Sequence, residues 1–198
     1  MRQKTSQKAA ALAALTLALS AAPYAADQVT PPAVPVDIAV DAGYTPFLWG
    51  HAIGTQNYIC APAATATGVD WFFLGPQATV FDSDGEQILT HFLSKNPDQA
   101  NALQATWQHS KDTSAVWAKK RVGSLDPTYV APGAIEWLLL DVTGDEYGPH
   151  GGDKVSKAKL IHRVNTIGGV KPPAAECTPA AINTRKFVDY EADYYFYK

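Results

Sequence analysis

Charge and cysteine are both scarce in this chain. Only 18% of its 198 residues are charged, and there are two cysteines, Cys60 and Cys177. So low a charged share predicts a core that is large for the length. The formal net charge is −3, and Lys and Arg are scattered. The basic footprint that nucleic acid or an anionic membrane surface selects is therefore absent, and neither is expected as a partner. Long apolar runs are missing as well. The one at residues 9–22 is too short to span a bilayer, so no membrane span is expected.

Sequence motifs for catalysis are also missing. There is no HExxH, no GxSxG and no strand–GxGxxG–helix unit. Gly168-Gly169 follows a strand-like segment, but Pro172 and Pro173 come soon after, so no helix opens there to cradle a phosphate. His51, His91, His109, His150 and His162 stand at no metal-ligand spacing. The acidic run Asp82-Ser83-Asp84-Gly85-Glu86 resembles the start of a calcium loop, but the twelfth position is Leu93 rather than a glutamate. It reads as a hairpin turn at Asp84-Gly85. No metal, dinucleotide or other cofactor is expected.

What the chain does have begins at its start. Arg2, Lys4 and Lys8 precede the apolar run, and small residues follow it. Residues 1–25 read as a Sec-type signal peptide, cut between Ala22 and Asp27, with no cysteine there to carry a lipid anchor. Removing Arg2, Lys4 and Lys8 takes the net charge from −3 to −6. The expected location is secreted or periplasmic. In such an oxidising compartment two thiols usually pair, so Cys60 and Cys177 are predicted to form a disulfide.

Residues 26–46 form an extended lead-in kept from helix by Pro31, Pro32 and Pro35. Residues 47–198 read as a single domain of short strands punctuated by Gly, Pro, Asn and Asp. Strands are expected at 54–60, 69–74, 78–81, 87–93, 105–109, 115–119, 135–142, 155–166 and toward the C-terminus. The segment 135–142 is apolar on both alternating faces and reads as a central strand. In 155–166, Ala158, Leu160, His162 and Val164 share the more apolar face, which makes His162 a hydrogen-bonded core residue. Helical evidence is limited to short turns, one in 97–104 and one after the Thr178-Pro179 cap pair. The fold expected is all-β: an antiparallel β-sandwich, with a closed barrel as the alternative.

Six ordered segments carry a family resemblance: GHAIGTQNYIC at 50–60, FFLGPQATVFDSDG at 72–85, ATWQHSKDTSAVWAK at 105–119, APGAIEWLLLDV at 131–142, IHRVNTIGGVKP at 161–172 and YEADYYFY at 190–197. Together they resemble the secreted domain-of-unknown-function family 3455, from about Phe47 to the C-terminus. The resemblance implies an exported single β-domain with a cysteine pair at the positions of Cys60 and Cys177. It carries over no catalytic residue.

Two functional readings remain. The first is a non-catalytic extracellular or envelope binding module. Trp107 and Trp117 flank a polar segment that includes His109, and indoles framing polar groups suit a glycan or another envelope component. The second is a small secreted hydrolase with a site assembled from His91, Glu136, Arg163 and Asn165. Glu136 and Asp141 lie in an apolar strand, where a carboxylate is either paired or functional. Convergence of the four groups in one pocket would favour the enzyme, and an exposed aromatic face the binding module.

Overall fold

The computed structural model describes residues 29–198. The signal-peptide segment lies outside the described residues. Eight antiparallel strands follow in sequence order: β1 (Pro46–Pro62), β2 (Val69–Phe81), β3 (Gln87–Asn96), β4 (Ala102–His109), β5 (Ala115–Ser124), β6 (Trp137–Glu146), β7 (Leu160–Gly168) and β8 (Arg185–Tyr197). Each pairs with the next, and β8 returns to pair with β1 from Pro46↔Tyr197 to Ile59↔Arg185. The sheet therefore closes on itself as a barrel rather than splitting into two sheets. Short 3₁₀ turns at Val36–Ile38, Pro97–Gln99, Ala174–Glu176 and Pro179–Ala181 complete the architecture. The acidic run at 82–86 is a turn, with the Asp82 carboxylate accepting from the Asp84 and Glu86 amides.

Period-two alternation sorts the strands into an inner and an outer face. The lumen is filled by Ala52, Ala78, Val80, Leu89, Trp107, Val116, Leu138, Leu140, Ile161, Tyr194 and Phe196, among others. A second cluster lies on the outer surface: Trp137, Leu139, Leu160, Val164, Tyr195 and Tyr197, packed with Val130 and Ala134. The lead-in covers it, with Ile38 fully buried and Val29, Val34 and Val40 packed alongside. Hence β6 is apolar on both faces: Leu138 and Leu140 face the lumen, and Trp137 and Leu139 lie under the lead-in. His162 fastens the strap, its Nε2 donating to the Ile38 carbonyl at 2.7 Å and its Nδ1 accepting from the Tyr197 hydroxyl at 3.0 Å. Arg121 adds a second tie, bridging Asp41 and Asp141.

β2 is continuous through Gly75-Pro76, where the sequence suggested a break. The disturbance falls on its pairing instead. β2 meets β3 only from Ala78↔His91 to Phe81↔Gln87, then leaves it. Pro76 has no N–H to give β3. Gly75 sits at φ +132°, and a Cβ there would meet the Leu93 side chain at 2.7 Å. Beyond this parting, β1, β2 and β8 continue as an extension held by Cys60–Cys177, with Tyr58, Val69 and Trp71 packed around the bridge.

Candidate functional site

The parting of β2 from β3 opens one end of the barrel, and a cavity of about 290 Å³ lies there. Phe73, Pro76, Leu93, Leu103 and Ala105 line its entrance side, and Trp107, His91, Leu138, Leu140 and Tyr194 its inner wall. Arg163 enters it because β7 pairs Arg163 with Leu138 on one side and Tyr194 on the other, both lumenal. Gln56 enters from β1, on the same face as Ala52. A neighbouring cavity of about 520 Å³ shares Gln56, Phe73, Leu138 and Arg163, and adds Tyr58, Ile135, Glu136 and Lys171.

The inner wall is an aromatic box. The His91 ring stacks on Trp107 with centroids 4.1 Å apart and planes 12° from parallel. Tyr194 meets both rings edge-on, at 5.1 and 5.2 Å. His91 is 3% exposed, and its Nδ1 donates to the Thr106 carbonyl at 2.9 Å. A carbonyl only accepts, so the proton sits on Nδ1 of a neutral ring. Burial pushes the His91 pKa down to about 3, and the Arg163 charge pushes the same way. Burial raises the Tyr190 and Tyr194 hydroxyls above the ordinary tyrosine value, while Arg163 pulls both back.

Among the described residues, six buried side-chain polar atoms have no hydrogen-bond partner. Three belong to residues of this one cavity: Gln56 Nε2, Trp107 Nε1 and Arg163 Nε. Native proteins leave few such groups, because each forfeits the full cost of desolvation. Arg163 spends Nη2 on the backbone carbonyl of Glu136 at 2.9 Å, and no carboxylate pairs with it among the described residues.

The four residues of the hydrolase reading do not converge. His91 and Arg163 share the cavity, but Glu136 lines only its neighbour and gives its carboxylate to Lys120 at 2.7 Å. Asn165 sits on the outer face at a bulge, with φ +52°, and donates to Asp193 at 2.8 Å. Asp193 also accepts from His51 Nδ1 at 2.8 Å.

Trp107 and Trp117, expected to frame one exposed face, are 1% and 5% exposed and lie on opposite faces of the sheet. Trp107 pairs with lumenal Val116; Trp117 pairs with Thr106 and donates its indole N–H to Ser94 at 2.7 Å. A β-turn segment rather than a loop of free rings separates them, so the alternation of two tightly paired strands decides both orientations. His109 is buried too, and its Nδ1 lies 3.1 Å from Asp112, which ties down the β4–β5 turn.

Gln56 and Tyr194 are lumen residues that the sequence reading did not single out. The alternation of β8, with Ala192, Tyr194 and Phe196 on one face, marks Tyr194. Gln56 carries one signal only, a polar residue in register with Ala52 and Gly54 on an inward face.

No described helix is long and apolar enough to cross a membrane. The Cys60–Cys177 disulfide fits an oxidising extracellular or periplasmic compartment. Searches among curated proteins and among solved structures found no match. The family model described as Protein of unknown function (DUF3455) matches residues 42–198, and the chain belongs to that family.

Proposed function

We propose that this protein is a non-catalytic binding module of the envelope or extracellular space, and that its site is the open end of the barrel lumen rather than an outer face. The observation that carries the reading is the coincidence of one cavity with three partnerless polar atoms, on Gln56, Trp107 and Arg163. Ligand sites have this composition: mostly apolar walls with a few placed polar groups. Eight-stranded barrels are just wide enough to hold one small ligand. At 290 Å³ the cavity takes on the order of ten non-hydrogen atoms at liquid-like volumes.

Acid–base chemistry finds less support. His91, held neutral and hydrogen-bonded to a backbone carbonyl, is far from the pKa a general base needs near neutral pH. The only carboxylate among the four candidates is committed to Lys120.

Five indole N–H signals report the test site by site in ¹⁵N-tryptophan-labelled protein. The protein is titrated with three probes of one size: 3-phenylpropanol, 3-phenylpropionamide and 3-phenylpropionate. At least one should move the Trp107 indole signal while leaving Trp117, which donates to Ser94, and Trp71, which donates to the Pro173 carbonyl, in place. Ala105→Phe, which fills the entrance side, should abolish that shift with the fold intact. No shift at Trp107 with any probe would end the lumen reading.

A further inference from the structure

Resting on the lumen reading, we infer that the ligand is a small organic monoanion, a carboxylate on an aromatic or compact apolar body, with its charge at Arg163 and its body against Trp107 and His91. The first argument is charge. Arg163 lines the cavity, the exposed Lys119 and Lys120 stand at its rim, and no Asp or Glu among the described residues lines it. This cationic lining belongs to a chain that is acidic overall, at −3. It is local to the cavity, with Arg163 in the wall and the two lysines at the rim, and does not follow from composition.

The second argument is the state of Arg163. Lys120 has a counter-ion in Glu136, and Arg121 has two in Asp41 and Asp141. Arg163 has none among the described residues, although its Nε is fully buried. Arg163 is partly exposed, but a guanidinium even partly withdrawn from water without a counter-charge carries a desolvation cost, and such groups persist when they are paired or serve a ligand. Its neutral partners, the Glu136 carbonyl and the Tyr194 hydroxyl, fix the headgroup but leave the charge uncompensated. A carboxylate would accept from Nε and supply the missing charge in a strong, charge-assisted bond.

The third argument is that the other partnerless groups are donors too. Gln56 Nε2 and Trp107 Nε1 both offer hydrogens. All three orphans therefore ask for acceptors, and an anion is the ligand richest in them. One guanidinium and one amide match a monoanion better than a phosphate dianion. Aromatic rings and Leu93, Leu138 and Leu140 make up most of the remaining wall, and this is where an apolar body would lie.

The same three probes separate this inference from the lumen reading. On the unmodified chain, 3-phenylpropionate should bind at least tenfold more tightly than the isosteric amide or the alcohol, read by the Trp107 indole shift and by calorimetry. Arg163→Met should remove the preference by weakening the acid at least tenfold more than the amide or the alcohol; Arg163→Lys should restore part of it. Equal binding of acid, amide and alcohol would overturn the anion and leave the lumen site standing. A preference for the acid that survives in Arg163→Met would overturn the assignment to Arg163. Failure of all three probes to reach Trp107 would overturn both readings. The acid–amide comparison needs no variant, so misfolding of Arg163→Met cannot decide the matter.

Discussion

At the scale of residues, two deeply buried histidines contribute strongly to how this protein should respond to acid. His91 in the lumen and His162 beneath the lead-in are both buried, and desolvation lowers both pKa values, that of His91 to about 3. Each ring donates to a backbone carbonyl, Thr106 for His91 and Ile38 for His162, which lock the neutral tautomers. Among the described residues the one charge that acts on His91 is Arg163, and it acts in the same direction as burial. An unfolded histidine takes its proton near 6.5, whereas these two take it only at lower pH in the folded state. Between those values the unfolded chain binds more protons, so stability falls as pH falls. The contribution is complete above about pH 6.5 and drains at about 1.4 kcal/mol per pH unit per histidine. For His91 the loss continues to about pH 3 and is about 5 kcal/mol. Urea midpoints measured at pH 7.5 and pH 5 should therefore drop steeply with acid, and His162→Gln should flatten part of the slope. Equal midpoints at the two pH values would mean that neither ring is held neutral by the fold.

At the scale of elements, the lead-in acts as a structural component of the barrel wall. Ile38 is fully buried against Trp137, Leu139, Leu160 and Tyr195. Ile38→Ala should cost about 2–4 kcal/mol, as large-to-small core changes do, and should shift tryptophan emission to the red as the outer cluster wets. A loss below about 0.5 kcal/mol would show that the strap adds nothing to the wall. The same elements show what was legible in the sequence. Most strand positions were readable because alternation and turn residues are local signals: the Thr178-Pro179 turn, the 82–86 hairpin and the two-sided apolarity of β6 are where the pattern put them. By contrast, β1 starts at Pro46 rather than 54, and the strand expected at 155–166 starts at Leu160, after a turn segment that puts Ala158 in the lumenal cluster. Closure was not readable, since it depends on β1 pairing with β8 across more than 100 residues, and the alternation that makes a sandwich face also makes a barrel wall. β6 looked like the centre of a sheet because a strap covers its outer face, a fact of tertiary packing. Trp107 and Trp117 were misplaced for a related reason. Ten residues apart across a hairpin, they occupy opposite faces, and the polar turn between them says nothing about which ring points inward. Of the candidate site, His91 and Arg163 were named together in the hydrolase reading and Trp107 apart from them in the binding reading. Their meeting with Gln56 follows only from the cross-strand register.

At the scale of the whole molecule, the disulfide closes the longest loop that matters. Cys60 lies on β1 and Cys177 in the segment before β8, 117 residues apart in sequence. The bridge thus joins β1 to the segment that leads into β8, the strand whose pairing with β1 seals the barrel. Loop closure before native contacts form is the main entropic obstacle for such a non-local pairing. A bridge removes it from the unfolded ensemble, and the chain-entropy account gives about 4–5 kcal/mol for a loop of this length. Both sulfurs are buried with Tyr58, Val69 and Trp71, so the paired state also fills a small satellite core. The cavity residues lie outside that cluster, apart from Tyr58 at the rim of the neighbouring cavity. Stability and binding should therefore separate. The Cys60→Ala/Cys177→Ala double variant should lose several kcal/mol in urea denaturation and keep the Trp107 indole response to 3-phenylpropionate at low temperature, where it remains folded. Denatured, unreduced protein should show no free thiol. Two free thiols, or a double variant as stable as the parent, would mean that closure of the barrel owes nothing to the bridge.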